Sequence, residues 1–562
     1  VPLSSRSKPL PPSLSPRARR RSLGTGSAIV LVVLWIASIG NLPLWRALAA
    51  LPELGDARGL AFGVAFGVGI AAFQIALLSL LAWRWTLKPV LTVFLLSAAA
   101  GAYFMLTYGV VIDRSMMVNV LLTDTREATE LFSLRMLVIL LLLGVLPVAL
   151  LWRTPLRWAG PLRQLGRNAM LLVAGLAVLA LAVGIFFQDL SATMRNHTQL
   201  RYLINPMNSF YALAIMGRQP IQRSGATVLP LGEDARVAPL PADAKPPLVI
   251  MVLGETARAD HLGLNGYERP TTPKLAERGV VSLRNAWSCG TNTAASVPCM
   301  FSHLDREAFE NRQANTEGLV DVLQRAGLAV LWIDNQPGGC KGVCDRVPRV
   351  SYHELQVPGL CRDDECFDEA MLHGLQERID QLPAERRARG VVVFMHQMGS
   401  HGPAYYKRTP PEFKKFQPEC TTNALQQCER EEVVNAYDNT IAYTDHFLAT
   451  TIDWLKAHEA HWAPALVYVS DHGESLGENN LYLHGLPYRF APDAQKHVPW
   501  ITWLSPQFEQ QSGIRQGCVA EKQDTELSHD EYFHSVLGLL DVQTQVLNPQ
   551  RDIYGACRPA QR

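Results

Sequence analysis

Hydrophobic positions divide this chain into two regimes. Before residue 190 they run together, in apolar stretches at about 27–49, 60–82, 87–108, 136–152 and 169–188. Each reaches the roughly 17 residues that a helix needs to cross a bilayer. The pattern therefore predicts five membrane spans, the first interrupted by Asn41 and Pro43. After residue 246 the apolar positions come instead in short runs: PLVIMVLG (247–254), LAVLWID (328–334), VVVFM (391–395), ALVYVS (465–470) and VPWITWL (498–504). Long amphipathic stretches separate them. Such alternation predicts a mostly parallel sheet covered by helices, an α/β domain whose ligands sit beyond the carboxyl ends of the strands. Residues 218–247, rich in Pro, Ala and polar side chains, read as a linker. The expected organisation is a tail at 1–26, a membrane domain at 27–190, a bridging segment at 191–247 and a soluble domain at 248–562.

Charge adds an orientation. Lys+Arg number 52 against 51 Asp+Glu, so no global field draws the chain to nucleic acid. The basic residues of the membrane half are clustered: Arg17, Arg19, Arg20 and Arg21 before the first span, Arg84 and Lys88 after the second, and Arg153, Arg157, Arg163 and Arg167 after the fourth. Placing all three clusters in the cytoplasm obeys the positive-inside rule and sends everything after residue 190 to the outside. Cysteine usage agrees. All ten cysteines follow residue 288, and eight form close pairs, Cys289/Cys299, Cys340/Cys344, Cys361/Cys366 and Cys420/Cys428, leaving Cys518 and Cys557 as a fifth. Even numbers and local pairing predict disulfides in an oxidising compartment rather than structural zinc sites.

The candidate chemistry lies at strand ends. Glu255 follows the first run, Asp471 and His472 follow 465–470, and His396 follows 391–395. Two carboxylates and an imidazole suit zinc. Between Cys289 and Cys299 the chain is built of small and hydroxyl residues, SCGTNTAASVPCMFS (288–302), and leads into a helix-like segment. That arrangement can offer a nucleophile where helix N-terminal N–H groups meet a phosphate. A Thr hydroxyl needs help to attack phosphorus, and a metal that lowers its pKa supplies it. In the loop 109–134, Asn119, Thr123 and Glu127 recur every four residues, which predicts a polar stripe on one helix face beside the bilayer.

The blocks GETARADH (254–261), LNGY (264–267), SCGTNTAASVPCMFS, SHGP (400–403) and SDHGESLGE (470–478) resemble the signature blocks of the phosphoethanolamine transferases that modify lipid A, a family that includes colistin-resistance enzymes. The resemblance extends over nearly the whole chain. It implies an alkaline-phosphatase-like α/β/α periplasmic domain tethered to the bacterial inner membrane by a five-helix domain, working as a monomer. It also implies transfer of phosphoethanolamine from phosphatidylethanolamine to a lipid A phosphate through a covalent intermediate on Thr293. By motif, Thr293 is the nucleophile, and Glu255, Thr293, Asp471 and His472 bind the catalytic zinc, with room for a second zinc. Lys341, His401 and His484 resemble residues of the phosphate pocket, and Asn119, Thr123 and Glu127 resemble membrane-side substrate residues. The loop before Lys341 departs from the family, reading Asp334-Asn335-Gln336-Pro337-Gly338-Gly339 where relatives have a small polar pair and one residue fewer. Gln336 and Pro337 therefore receive no role. A sulfatase is excluded, because no Cys-x-Pro-x-Arg block occurs. Transfer to core sugar or periplasmic glucan, transfer of phosphoglycerol, and a non-catalytic scaffold with a relict metal site are the alternatives.

Overall fold

The computed structural model describes residues 22–217, 220–221, 223–362 and 365–558; the basic tail at Arg17–Arg21 lies outside them. Two units can be distinguished. One holds the chain up to Ala102 together with Val138–Leu200, and the other holds Tyr103–Leu137 and the chain from Arg201 onward.

Five helices are long and apolar enough to cross a membrane: Thr25–Ala49, Ala57–Leu80, Leu87–Tyr108, Leu134–Arg153 and Pro161–Ile185. The first is broken by a short turn at Ile39–Asn41, just before Pro43. Leu31, Leu34, Leu60, Val64, Leu137, Leu162 and Val173 remain exposed, as side chains that face lipid rather than water must be. Ala57–Leu80 and Pro161–Ile185 pack through small residues. A Cβ on Gly175 would lie 2.8 Å from the Ala72 carbonyl oxygen and 3.0 Å from Ala76 Cβ, an approach that requires glycine. The fifth helix starts eight residues earlier than the apolar run suggests. Pro161 occupies its first position, where a missing N–H costs nothing, and Arg163 and Arg167 ride on its first turns instead of in a loop. Gln164 and Asn168, in those same turns, donate to the Ala82 carbonyl at 3.2 and 3.1 Å.

The larger unit is built on an eight-stranded sheet. Its strands in chain order are β1 (Pro247–Gly254), β2 (Val281–Trp287), β3 (Ala329–Asp334), β4 (Arg349–Val350), β5 (Val391–His396), β6 (Ala463–Ser470), β7 (His497–Leu504) and β8 (Leu527–Ser528). Across the sheet they run β8-β2-β7-β6-β1-β5-β3-β4. The central strands β6, β1, β5 and β3 are parallel, while β7 is antiparallel to both neighbours. β1, β5 and β6 are buried along nearly their whole length, which is why they read as continuous apolar runs. Helices pack against the sheet, the longest being Arg430–Ala457. Under the Thr293 segment the core is aromatic: the Phe301 ring lies 5.5 Å from Trp332, 5.4 Å from Phe394 and 5.4 Å from Tyr532.

Five disulfides close the expected pairs, Cys289–Cys299, Cys340–Cys344, Cys361–Cys366, Cys420–Cys428 and Cys518–Cys557. The stripe expected of Asn119, Thr123 and Glu127 does not form. One helix, Arg114–Leu122, ends at extended Thr123, and a second begins at Thr125. Thr123 Oγ1 donates to the Asn119 carbonyl at 2.7 Å, the local bond by which threonine competes with helix continuation. The three residues therefore share no single helix face.

Candidate active site

Parallel register brings the carboxyl ends of β1, β6 and β5 side by side: Gly254 pairs with Ser470, and Leu253 with His396. Glu255 and Asp471 leave adjacent strands one residue later, and both are fully buried. The chain then turns through Thr256 at φ +61°, a conformation rare for a β-branched residue. Its surroundings hold it there. Thr256 N donates to Asp471 Oδ1 at 3.1 Å, and Thr256 Oγ1 donates to Glu255 Oε1 at 2.6 Å. Tyr437, from the long helix, donates its hydroxyl to the Thr256 carbonyl at 2.8 Å and accepts from Arg258 N at 2.9 Å. Backbone strain of this kind persists only where tertiary contacts over-determine it, and it concentrates at functional sites.

Thr293 opens the helix Thr293–Met300, capped by Asn292, whose Oδ1 accepts from Ala295 N at 3.0 Å. The Cys289–Cys299 bridge brackets this turn. Thr293 Oγ1 lies 3.2 Å from each Glu255 carboxylate oxygen and 3.4 Å from His472 Nε2. His472 Nε2 is also 3.4 Å from Glu255 Oε1 and 3.4 Å from Asp471 Oδ2. His472 Nδ1 meets the Gly473 carbonyl at 2.9 Å. A carbonyl only accepts, so Nδ1 carries a proton, and Nε2 faces the carboxylates.

This geometry can hold a metal ion. Glu255, Asp471 and His472 present donor atoms within 4.8 Å of one another, and Asp471 Oδ2 is buried with no hydrogen-bond partner. Ligands about 2.0–2.2 Å from one tetrahedral cation stand roughly 3.3–3.6 Å apart, the scale of the separations measured here. Electrostatics points the same way. Burial raises the Asp471 carboxyl to about 6, with the Glu255 charge adding to it. Burial works to lower His472, but Asp471 and Glu255 overcome it and lift the imidazole to about 9. Two buried carboxylates facing one imidazole want a positive charge between them. Among the described residues the one other candidate metal group is Cys340, Cys344 and Asp345, whose two sulfurs are joined in a disulfide.

Around this cluster stand His396, which the sequence put at a strand end, His484, and two residues to which the sequence assigned nothing, Ser296 and His529. His396, fully buried, sits 3.8 Å from Glu255 Oε2 and 3.1 Å from Asp334 Oδ1. Ser296 donates to the Asp471 carbonyl. His529 accepts from Cys289 N at 3.1 Å through Nδ1 and donates to the Ser470 carbonyl at 3.0 Å through Nε2. It thereby ties the Thr293 loop to the Asp471 strand. Burial drives its pKa down to about 3, so it serves as a neutral clip. His484 is within the site: its ring centroid is 4.3 Å from that of His472 and 5.9 Å from that of His401. Its Nδ1 contacts Glu474 Oε1 at 3.3 Å, and Glu474 is pushed up to about 8 by burial, against the pull of His472 and His401.

Glu127 and Lys341 meet at the loop that departs from the family pattern. Gln336 Nε2 donates to Glu127 Oε1 at 2.9 Å, and Lys341 Nζ reaches the Leu122 carbonyl at 3.5 Å. A Cβ on Gly338 would lie 2.5 Å from Lys341 Nζ, 2.7 Å from Gln336 Oε1 and 2.9 Å from Glu127 Oε1. Three polar groups thus converge on a position only glycine leaves open. The charge on Glu127 also acts on His484, so this group adjoins the histidines. Asn119 lies on the preceding helix and Thr123 at its end, next to the Leu122 carbonyl that Lys341 reaches. Glu130, three residues after Glu127, is buried and pairs with Arg408 at 2.5 Å.

Comparison with known proteins accords with this geometry. Residues 247–542 match the sulfatase family model, and residues 70–221 match the model described as phosphoethanolamine transferase EptA/EptB. The chain is 41% identical over 554 residues to phosphoethanolamine transferase EptA of Salmonella typhimurium, covering 96% of this chain and 98% of that protein. It is 37% identical to phosphatidylethanolamine transferase Mcr-1 of Escherichia coli, over 93% of this chain and 96% of the other. The structure superposes with a TM-score of 0.89 on the integral membrane lipooligosaccharide phosphoethanolamine transferase A (EptA) of Neisseria meningitidis, at 33% identity, covering 96% of this chain and all of that one. With a membrane half and a soluble half each matched, and identity of this level end to end, the chain belongs to the EptA/EptB family of phosphoethanolamine transferases.

Proposed function

We propose that the enzyme moves phosphoethanolamine from phosphatidylethanolamine to a phosphate of lipid A through an ester on Thr293, with zinc as its metal. The observation that carries this is the gathering of Thr293 Oγ1, both Glu255 oxygens and His472 Nε2 within 3.2–3.4 Å, with Asp471 beside them, at the first turn of a helix. Oxygen and imidazole donors in a tetrahedral set suit zinc, and Glu255, Thr293, Asp471 and His472 are the residues that would hold it. Bound there, it would act as a Lewis acid that lowers the hydroxyl pKa and offsets negative charge on the phosphoryl oxygens.

In the first half-reaction Thr293 Oγ1 attacks the phosphorus of the donor. The bond from phosphorus to Oγ1 forms and the bond to the glycerol oxygen breaks; the proton lost from Oγ1 is balanced by the one the departing diacylglycerol takes up. In the second, an oxygen of the acceptor phosphate attacks the same phosphorus, the bond to Oγ1 breaks, and Thr293 recovers its proton. Glu127, held by Gln336, supplies a carboxylate for the ethanolamine ammonium, and Lys341 a cation for the phosphate. Asn119 and Thr123 support the segment that carries Glu127. His401 and His484 flank the phosphoryl oxygens or hold a second zinc. The five disulfides and the distribution of arginine support a position at the periplasmic face of the inner membrane, where a monomer would meet both lipids. Docking there keeps water from the Thr293 ester. An added ammonium on lipid A lowers its negative charge, the basis for resistance to polymyxin-type cationic peptides.

Mass spectrometry of lipid A from a Gram-negative host expressing the wild type or Thr293→Ala tests the proposal. A phosphoethanolamine-sized mass increase in the wild type alone is expected. No increase, with protein present in the membrane and carrying zinc, would overturn lipid A as acceptor and direct the search to core sugar or glucan.

A further inference from the structure

The face of the Thr293 helix that carries Ala294, Ala295 and Pro298 lines a second cleft, of about 390 Å3. Its charge is lopsided. Arg114, Arg201, Arg306, Arg312 and Arg489 border it, against the carboxylates of Asp113 and Glu310. Both carboxylates have other hydrogen-bond partners, while their charges also act on Arg114. Asp113 Oδ1 accepts from Met116 N at 2.9 Å and from Ser115 Oγ at 2.9 Å, capping a helix. Glu310 bonds Arg306 at 3.0 Å. Arg312 is half-buried and among the described residues reaches only neutral acceptors, Asn315 Oδ1 at 3.0 Å, the Phe309 carbonyl at 2.7 Å and the Pro220 carbonyl at 3.1 Å. Arg114 Nε is buried with no hydrogen-bond partner among the described residues. Burial and the charge of Arg114 together pull the Arg312 pKa down to about 10. Like charges held together out of water call for an anion, and planar guanidinium groups favour phosphate.

We propose that this cleft binds a phosphate monoester of the acceptor, distinct from the phosphate that receives the transferred group. The inference rests on the transferase reading of the Thr293 site. Thr291 and Ala294, neighbours of Thr293 on both sides, line the cleft, so a phosphate held there anchors its carrier beside the nucleophile. A glycolipid bearing two phosphates then has one on the arginines and presents the other to the Thr293 ester. Phe309, Tyr488 and Phe490 also line the cleft, where ring edges can meet the sugar between the two phosphates. The volume is of the order expected for a phosphorylated sugar.

The test uses the purified full chain in detergent with labelled phosphatidylethanolamine and two acceptors, lipid A with both phosphates and lipid A with one. Three quantities are read: mass-detected loading of Thr293 without acceptor, KM for each acceptor, and inhibition by inorganic phosphate. Arg114→Gln and Arg312→Gln are expected to raise KM for the two-phosphate acceptor by about tenfold to a hundredfold, the loss of a charge-assisted contact. KM for the one-phosphate acceptor should barely move, and competition by inorganic phosphate should weaken in parallel. Arg489→Gln, whose exposed side chain makes no hydrogen bond or ion pair among the described residues, alters the same preference in the same direction without touching a structural bond. Equal KM changes for both acceptors would overturn the proposal. Impaired loading by the variants would assign the cleft to the donor phosphodiester and overturn it too. A wild type that never loads Thr293 would bring down the underlying transferase mechanism as well, whereas normal loading with unchanged acceptor preference in every variant refutes the cleft alone.

Discussion

The Glu130–Arg408 pair fixes where the Glu127 segment sits on the soluble body, and its removal has a calculable effect. Arg408 Nη2 meets Glu130 Oε2 at 2.5 Å, with side-chain exposures of only 3% and 6%. Arg408 has two further acceptors, Glu365 at 2.9 Å and the His401 carbonyl at 3.1 Å. Among the described residues Glu130 has only Lys407 besides, at 3.5 Å and 42% exposed. Deleting one partner of a buried pair costs about 3–5 kcal/mol, because the other charge stays buried without its mate. The structure makes the two deletions unequal. Glu130→Gln leaves Arg408 two acceptors and falls at about 3 kcal/mol; Arg408→Gln strands Glu130 and falls at about 5 kcal/mol. At roughly 1.5 °C per kcal/mol for a body of this size, Tm in detergent drops by about 4 °C and 8 °C respectively. The double variant Glu130→Leu/Arg408→Met removes both charges and should recover most of the loss. Hydrogen exchange over residues 125–132 should rise in both single variants. A Tm for Arg408→Gln within a degree of wild type, or a double variant as unstable as the two singles combined, would refute the reasoning that burial makes this pair matter.

Three further outcomes are expected. Chelation should abolish transfer and zinc should restore it, with metal content lost in Glu255→Ala and His472→Ala; full activity of metal-free protein would remove the metal from the mechanism. Gly338→Ala should lower transfer by about tenfold or more with Tm unchanged, because its Cβ displaces Lys341, Gln336 and Glu127 together; steady-state kinetics beside a melting curve separate the two effects. His529→Phe should destabilise the fold by about 2–4 kcal/mol, since Cys289 N–H and the Ser470 carbonyl both lose their buried partner, and chemical denaturation reads that directly.

Much of the architecture was legible along the chain because it depends on local pattern. Membrane helices declare themselves by continuous apolarity, buried parallel strands by short β-branched runs, and disulfides by the spacing of cysteines that pair nearby. Glu255, Thr293, Asp471 and His472 were legible because strand ends in a parallel sheet point to one edge, and because their blocks are long enough to recognise. What had no local signature was decided by packing. Nothing in the alternation of 498–504 says that β7 runs against its neighbours. The four-residue spacing of Asn119, Thr123 and Glu127 suggested one helix, yet a threonine hydroxyl on a backbone carbonyl ended it. Gln336 meets Glu127 across more than two hundred positions, His529 clips two loops from far along the chain, and five arginines from four separate segments share one cleft. Periodicity encodes which face of an element is buried; the identity of the neighbour across the gap is set by the tertiary fold, because only there do distant polar groups lose water and have to find one another.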